Sequence, residues 1–105
     1  MKNSRPMVDT NILVYAHNQD SPCFTQAKLL LGDLIDKGGF CVSSVILFEF
    51  FSVVTNGRKI EVPLSSETAL CVIDDMSESK NIEVLHLSDD YKFFQWLRDY
   101  IETTK

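Results

Sequence analysis

"GGFCVSSVILFEFFSVVTNG", residues 38–57, contains a strand, a helix cap and a helix in succession. Gly38-Gly39 closes the helical run before it. "FCVS" (40–43) is a short apolar strand. Ser43 or Ser44 supplies a hydroxyl N-cap, and the apolar run that follows is helical to about Asn56-Gly57. One charge interrupts it. Glu49 stands between Phe48 and Phe50, with Ser52 the other polar residue of the run from Val45 to Val54. At about 100° per residue, Val45 and Val53 fall within roughly 40° of Glu49 on the helix surface. Burying an ionised carboxylate without a partner costs several kcal/mol. Glu49 therefore either snorkels past Ser52 to water from the helix edge, or it meets something positive.

Upstream, "RPMVD" (5–9) reads as a short strand ending in an acid, and "DTN" supplies turn and helix-start residues before a short helix over Ile12 to Ala16. Ser21-Pro22 is a helix opening, hydroxyl cap then proline at the first helical position. Phe24, Ala27, Leu30, Leu31, Leu34 and Ile35 then recur at helical spacing. Downstream, "GRKIEVPLS" (57–65) is a loop, and Ser65 or Ser66 caps a helix with Ala69, Val72, Ile73 and Met76 as its apolar stripe. "IEVL" (82–85) has the pattern of a third strand. Ser88 caps a last helix whose Asp89 and Asp90 suit the helix dipole.

Strands alternating with helices specify a parallel sheet covered by helices. Right-handed crossovers put all strand C-termini at one end, and the crevice outside that end is where such sheets hold ligands. Asp9 is predicted there. As a helix-start residue it also suits an N-cap role. Asp9 and Glu49 can converge on one cleft, and oxygen ligands without Cys or His suit Mg²⁺ or Mn²⁺. Such an ion is the positive partner that Glu49 requires.

Composition bounds the alternatives. A chain of 105 residues, 45% apolar and 24% charged, fits one globular domain. Its net charge of −5 argues against gripping nucleic acid by a basic surface, but leaves open an acidic site that meets nucleic acid through bound metal. Cys23, Cys41 and Cys71 are isolated, with no zinc-ligand spacing, and read as reduced thiols of a cytoplasmic protein. The N-terminus has no signal-like apolar region, and no stretch reaches membrane-span length. His17 and His86 lack partners at ligand spacing and read as structural or exposed. Asp74-Asp75 read as a solvated face.

"VDTNILVYA" (8–16), followed some forty residues later by "VSSVILFEFFSVVT" (42–55), resembles the PIN domain family, especially its VapC-like toxin branch. The Ser-Pro helix between them and "LSSETAL" (64–70) follow the same pattern. The resemblance implies a three-layer α/β/α, Rossmann-like fold with a parallel sheet. It also implies a Mg²⁺- or Mn²⁺-dependent ribonuclease, the toxin of a toxin–antitoxin pair, with RNA as substrate, an antitoxin protein as partner and homo-oligomeric assembly. Nothing points to DNA or to a membrane. Asp9 and Glu49 would be the catalytic, metal-holding acids. Thr10 would hydrogen-bond near the metal, and Asn11 would organise the acidic cluster.

The chain departs from the family in one respect. A third acid, within an "(F/Y)-x-D-A" helix, and often a fourth are expected beyond "LRDYIETTK" (97–105), so residues 1–105 read as a single PIN-like domain lacking its C-terminal strand or strands and helix. Asp89, Asp90 and Asp99 match none of those acids. On this reading "PMVD" becomes a sheet edge, open to pairing with another chain. Tyr91, Phe93, Phe94, Trp96 and Tyr100 crowd the last helix, with Phe94, Leu97 and Ile101 on one face, as core packing or as a surface for a partner. A catalytically inactive binding module, acting through dimer or antitoxin pairing, is therefore the alternative function. A haloacid-dehalogenase-like phosphatase is excluded, because Asn11 stands where its second aspartate belongs.

Overall fold

The computed structural model describes residues 5–86 together with 98, 99 and 102. The last helix expected from Ser88, with its acids and aromatics, lies outside the described residues apart from those three positions. Its elements run α1 (Thr10–Ala16), α2 (Phe24–Asp36), β1 (Phe40–Ser43), α3 (Ser44–Val54), α4 (Ser66–Glu78) and β2 (Ile82–Leu85). The architecture is mixed α/β, compatible with a PIN-like α/β/α arrangement.

β1 and β2 are parallel, with Phe40 opposite Ile82 and Ser43 opposite Leu85. On the other side of β1, Met7 bridges Cys41 in parallel. Cys41 N–H donates to the Pro6 carbonyl at 2.8 Å, and Val8 N–H donates to the Cys41 carbonyl at 2.9 Å. β1 is thus flanked on both edges, and all four of its residues are buried, as expected of a central parallel strand. The expected strand over residues 5–9 is reduced to this single bridge. Arg5 instead ties the segment down through its guanidinium, donating to the carbonyls of Gly38 (2.9 Å) and Lys80 (3.1 Å).

Helix starts and stops follow the local chemistry. Ser43, rather than Ser44, caps α3, its hydroxyl accepting from Ile46 N–H at 3.0 Å. Ser65 caps α4 through Thr68 N–H. α2 ends in a paired turn: Gly39 N–H reaches the Leu34 carbonyl (2.7 Å) and Gly38 N–H the Ile35 carbonyl (3.3 Å), both glycines holding positive φ. α2 starts later than the Ser21-Pro22 pair indicates. The Ser21 hydroxyl accepts from Cys23 N–H, only two residues on, so it closes a separate turn before the helix begins.

The core gathers Val8, Leu13 and Val14 with Phe40, Val42, Ile46, Leu47, Phe50 and Val54, then Ile60, Ala69 and Met76. Leu31, Leu34 and Ile35 of α2 and Val72 and Ile73 of α4 pack against it. Leu30 does not. It falls on the edge of the stripe centred between Ala27 and Leu31 and is exposed.

Candidate active-site cleft

Two parallel segments deliver their C-terminal ends to the same end of the sheet. The first passes through Val8 to Asp9, directly before α1; the second is β1, whose Ser43 opens α3. α1 and α3 pack together, bringing the first residue of α1 to the second turn of α3. There Thr10 Oγ1 donates a 2.7 Å hydrogen bond to Glu49 Oε1. Glu49 is half-buried, so the bond offsets part of the cost of removing its carboxylate from water.

Asp9 occupies the N-cap position of α1 with an extended backbone, yet its side chain makes no cap hydrogen bond. Capping therefore does not account for this aspartate. Asp9 is exposed and lines the same cleft as Glu49. The cleft measures about 520 Å³ and is bounded by Asp9 just before α1, by Thr10 and Asn11 from α1, by Phe48, Glu49, Ser52 and Val53 from α3, and by Lys59. All four residues expected at the site are in one place. Phe48, Glu49, Ser52 and Val53 share the cleft because positions separated by four lie one turn apart on a helix.

Lys59 and Phe48 are the wall residues that sequence reasoning passed over. Lys59 belongs to the loop after α3, where it follows the Asn56 turn: the Asn56 side chain accepts from Arg58 N–H, and its carbonyl accepts from the N–H groups of Lys59 and Ile60. Ile60, next in the chain, is buried in the core, and Leu64 N–H returns to the Val54 carbonyl at 2.8 Å. The loop is pinned on both sides of Lys59. No local pattern marks this, since the placement depends on Ile60 finding the core. Glu49 makes no ion pair with a described residue. Lys59 nevertheless lines the same cleft.

The donor set consists of two carboxylates, a threonine hydroxyl and an asparagine amide. Among the described residues no cluster of three or more His, Cys, Asp or Glu side chains is placed to hold a metal. Asp9 and Glu49 would be the residues to hold a metal here, and oxygen donors without nitrogen or sulfur would suit a hard divalent cation. His17 stands elsewhere, its Nδ1–H donating to the Leu13 carbonyl and its ring edge-on to Phe50. Asp74 and Asp75 are exposed on α4. No described helix is long and apolar enough to cross a membrane.

Ribonuclease VapC24 of Mycobacterium tuberculosis, from strains CDC 1551 / Oshkosh and ATCC 25618 / H37Rv, is 31% identical to this chain over 62 residues. That segment is 59% of this chain and 43% of the relative. The chain thus matches less than half the length of these curated relatives. No family model matches it.

Proposed function

We propose that the chain is a PIN-like ribonuclease domain of the VapC toxin type, hydrolysing RNA phosphodiester bonds in the cleft between α1 and α3. The observation that carries this reading is the convergence of Asp9 and Glu49 on one cleft, with Glu49 fixed by Thr10. The similarity to a protein named as a ribonuclease supports it.

Asp9 and Glu49 hold Mg²⁺ or Mn²⁺ in this proposal. When bound, the ion supplies an activated water and positive charge for the developing phosphorane oxygens. The chain's own side chains orient the reaction. Thr10 restrains Glu49 through one carboxylate oxygen, and Asp9 lines the same cleft. Asn11, which lines the same cleft, takes the role of organising that acidic pair in this proposal. An antitoxin partner, homo-oligomeric assembly and a cytoplasmic location belong to the same reading.

The test is cleavage of RNA with and without Mn²⁺ by the wild-type chain, Asp9→Asn and Glu49→Gln. Metal-dependent cleavage lost in both variants is the expected result. Equal cleavage by all three overturns the proposal. No cleavage by any of them also overturns it for this chain, and favours a binding module.

A further inference from the structure

Phe48 is 70% exposed and is the one aromatic among the large apolar side chains exposed in the described residues. The others are Met7, Leu29, Leu30, Val62 and Leu70, and none of them lines the acidic cleft. Phe48 does, directly beside Glu49 in the chain and one turn before Ser52. Its neighbours Leu47 and Phe50 fill the core, so the helix already has its anchors without Phe48. Lys59, held in place by the buried Ile60, lines the same cleft.

An aromatic face and a cation together are what single-stranded nucleic acid requires of a binding groove. Any base can stack on the ring, and the ammonium takes a backbone phosphate. The need for the cation is particular here. The chain carries a net charge of −5, so a phosphate beyond reach of the proposed ion is otherwise repelled.

We propose that Phe48 and Lys59 form a nucleotide-holding subsite for single-stranded RNA, Phe48 stacking a base and Lys59 binding a phosphate next to the one attacked. This subsite rests on the ribonuclease reading and adds two positioning residues to it. Neither touches the reacting atoms, so their removal acts on substrate holding rather than on the chemical step.

The experiment is steady-state cleavage of a labelled single-stranded RNA with Mn²⁺ at several salt concentrations. It compares the wild-type chain with Phe48→Leu, Phe48→Trp, Lys59→Ala and Lys59→Arg, each checked for fold by circular dichroism. Phe48→Leu keeps an apolar side chain and removes the ring; KM is expected to rise about five-fold or more with kcat nearly unchanged, and Phe48→Trp to restore it. Lys59→Ala is expected to raise KM and to reduce the slope of log affinity against log salt by about 0.7, the share of one phosphate contact on a single strand; Lys59→Arg retains both. Wild-type cleavage with unchanged KM and salt slope in Phe48→Leu and Lys59→Ala overturns the subsite and leaves the ribonuclease reading intact. A fully paired RNA cleaved with the same KM also overturns the subsite, since paired bases offer Phe48 no free face. A wild-type chain that cleaves no RNA overturns both.

Discussion

Thr10 Oγ1 and Glu49 Oε1, 39 residues apart in sequence, are joined by a 2.7 Å hydrogen bond that ties the first turn of α1 to the second turn of α3. The bond makes the orientation of Glu49 dependent on a residue outside its own helix. Removing the hydroxyl leaves a half-buried carboxylate without its donor. Thr10→Val, which keeps the shape, is expected to cost about 1 kcal/mol of stability. Under the proposed metal-holding role of Glu49, it is also expected to weaken Mn²⁺ binding about 10- to 100-fold. Thr10→Ser retains the hydroxyl and is expected to bind Mn²⁺ as the wild type does. Urea unfolding and calorimetric titration with Mn²⁺ check the two effects separately.

Much of this site was legible in the sequence because each part had a local signature. Asp9 followed an apolar run and opened a helix, and Glu49 was the one charge in an apolar helix whose strand and cap were both in view. The strands 40–43 and 82–85 were visible for the same reason: short apolar runs bounded by glycine or by polar turns. What was not legible depended on distant contacts. The segment 5–9 looked like a strand, but it makes one bridge, and Arg5 binds two loop carbonyls beyond it. Lys59 lies within the loop 57–65, and its place beside the cleft depends on Ile60 reaching the core. The apolar spacing of α2 groups Leu30 with its inward neighbours but cannot say which edge of the stripe faces water, and Leu30 lies outward.

Two adjacent serines at the start of α3 are expected to respond oppositely. Ser43 accepts from Ile46 N–H and is buried. Ser43→Ala therefore exposes an orphan helix donor in a dry setting and is expected to cost about 0.5–2 kcal/mol. The Ser44 hydroxyl oxygen is buried without a hydrogen-bond partner. Ser44→Ala removes that unsatisfied group and places a better helix former in the first turn, so it is expected to be neutral or to stabilise by about 0.5 kcal/mol. Denaturant midpoints of the two variants measure the contrast. A loss of stability in Ser44→Ala equal to that in Ser43→Ala would show that both hydroxyls serve the cap.

The cysteines divide by environment. Burial raises the Cys41 thiol pKa above its ordinary value, and the nearby Glu83 charge adds to this, while Arg5 opposes it. Cys71 is exposed. A thiol-disulfide reagent at pH 8 is expected to modify Cys71 rapidly and Cys41 only as the chain opens. The sign of the stability effect follows from the direction of the shift. The folded chain holds the Cys41 proton more tightly than the unfolded chain, so this contribution is complete below the unfolded thiol pKa, about 8.5. It is lost as pH rises through the higher folded value. Urea midpoints between pH 7 and pH 10 are expected to fall more steeply in the wild type than in Cys41→Ala.

Gly39 is the position where substitution is expected to be least tolerated. It holds φ of +105°, and a Cβ there would land on the Asn81 carbonyl oxygen. That oxygen cannot retreat freely, because it accepts from Phe40 N–H at 3.0 Å and so sets the start of the β1–β2 pairing. Gly39→Ala thus combines a backbone conformation unfavourable to L-residues with a clash against backbone at the head of the central strand. The expected cost exceeds about 4 kcal/mol, a large share of what a domain of this size has to lose. Gly32, inside α2, is the control: a Cβ there meets nothing within 4 Å. Gly32→Ala is expected to raise stability by roughly 0.5–1 kcal/mol through helix propensity alone. Thermal unfolding of both variants decides the matter, and a Gly39→Ala chain melting close to the wild type would mean that the strand entry can move away from Asn81.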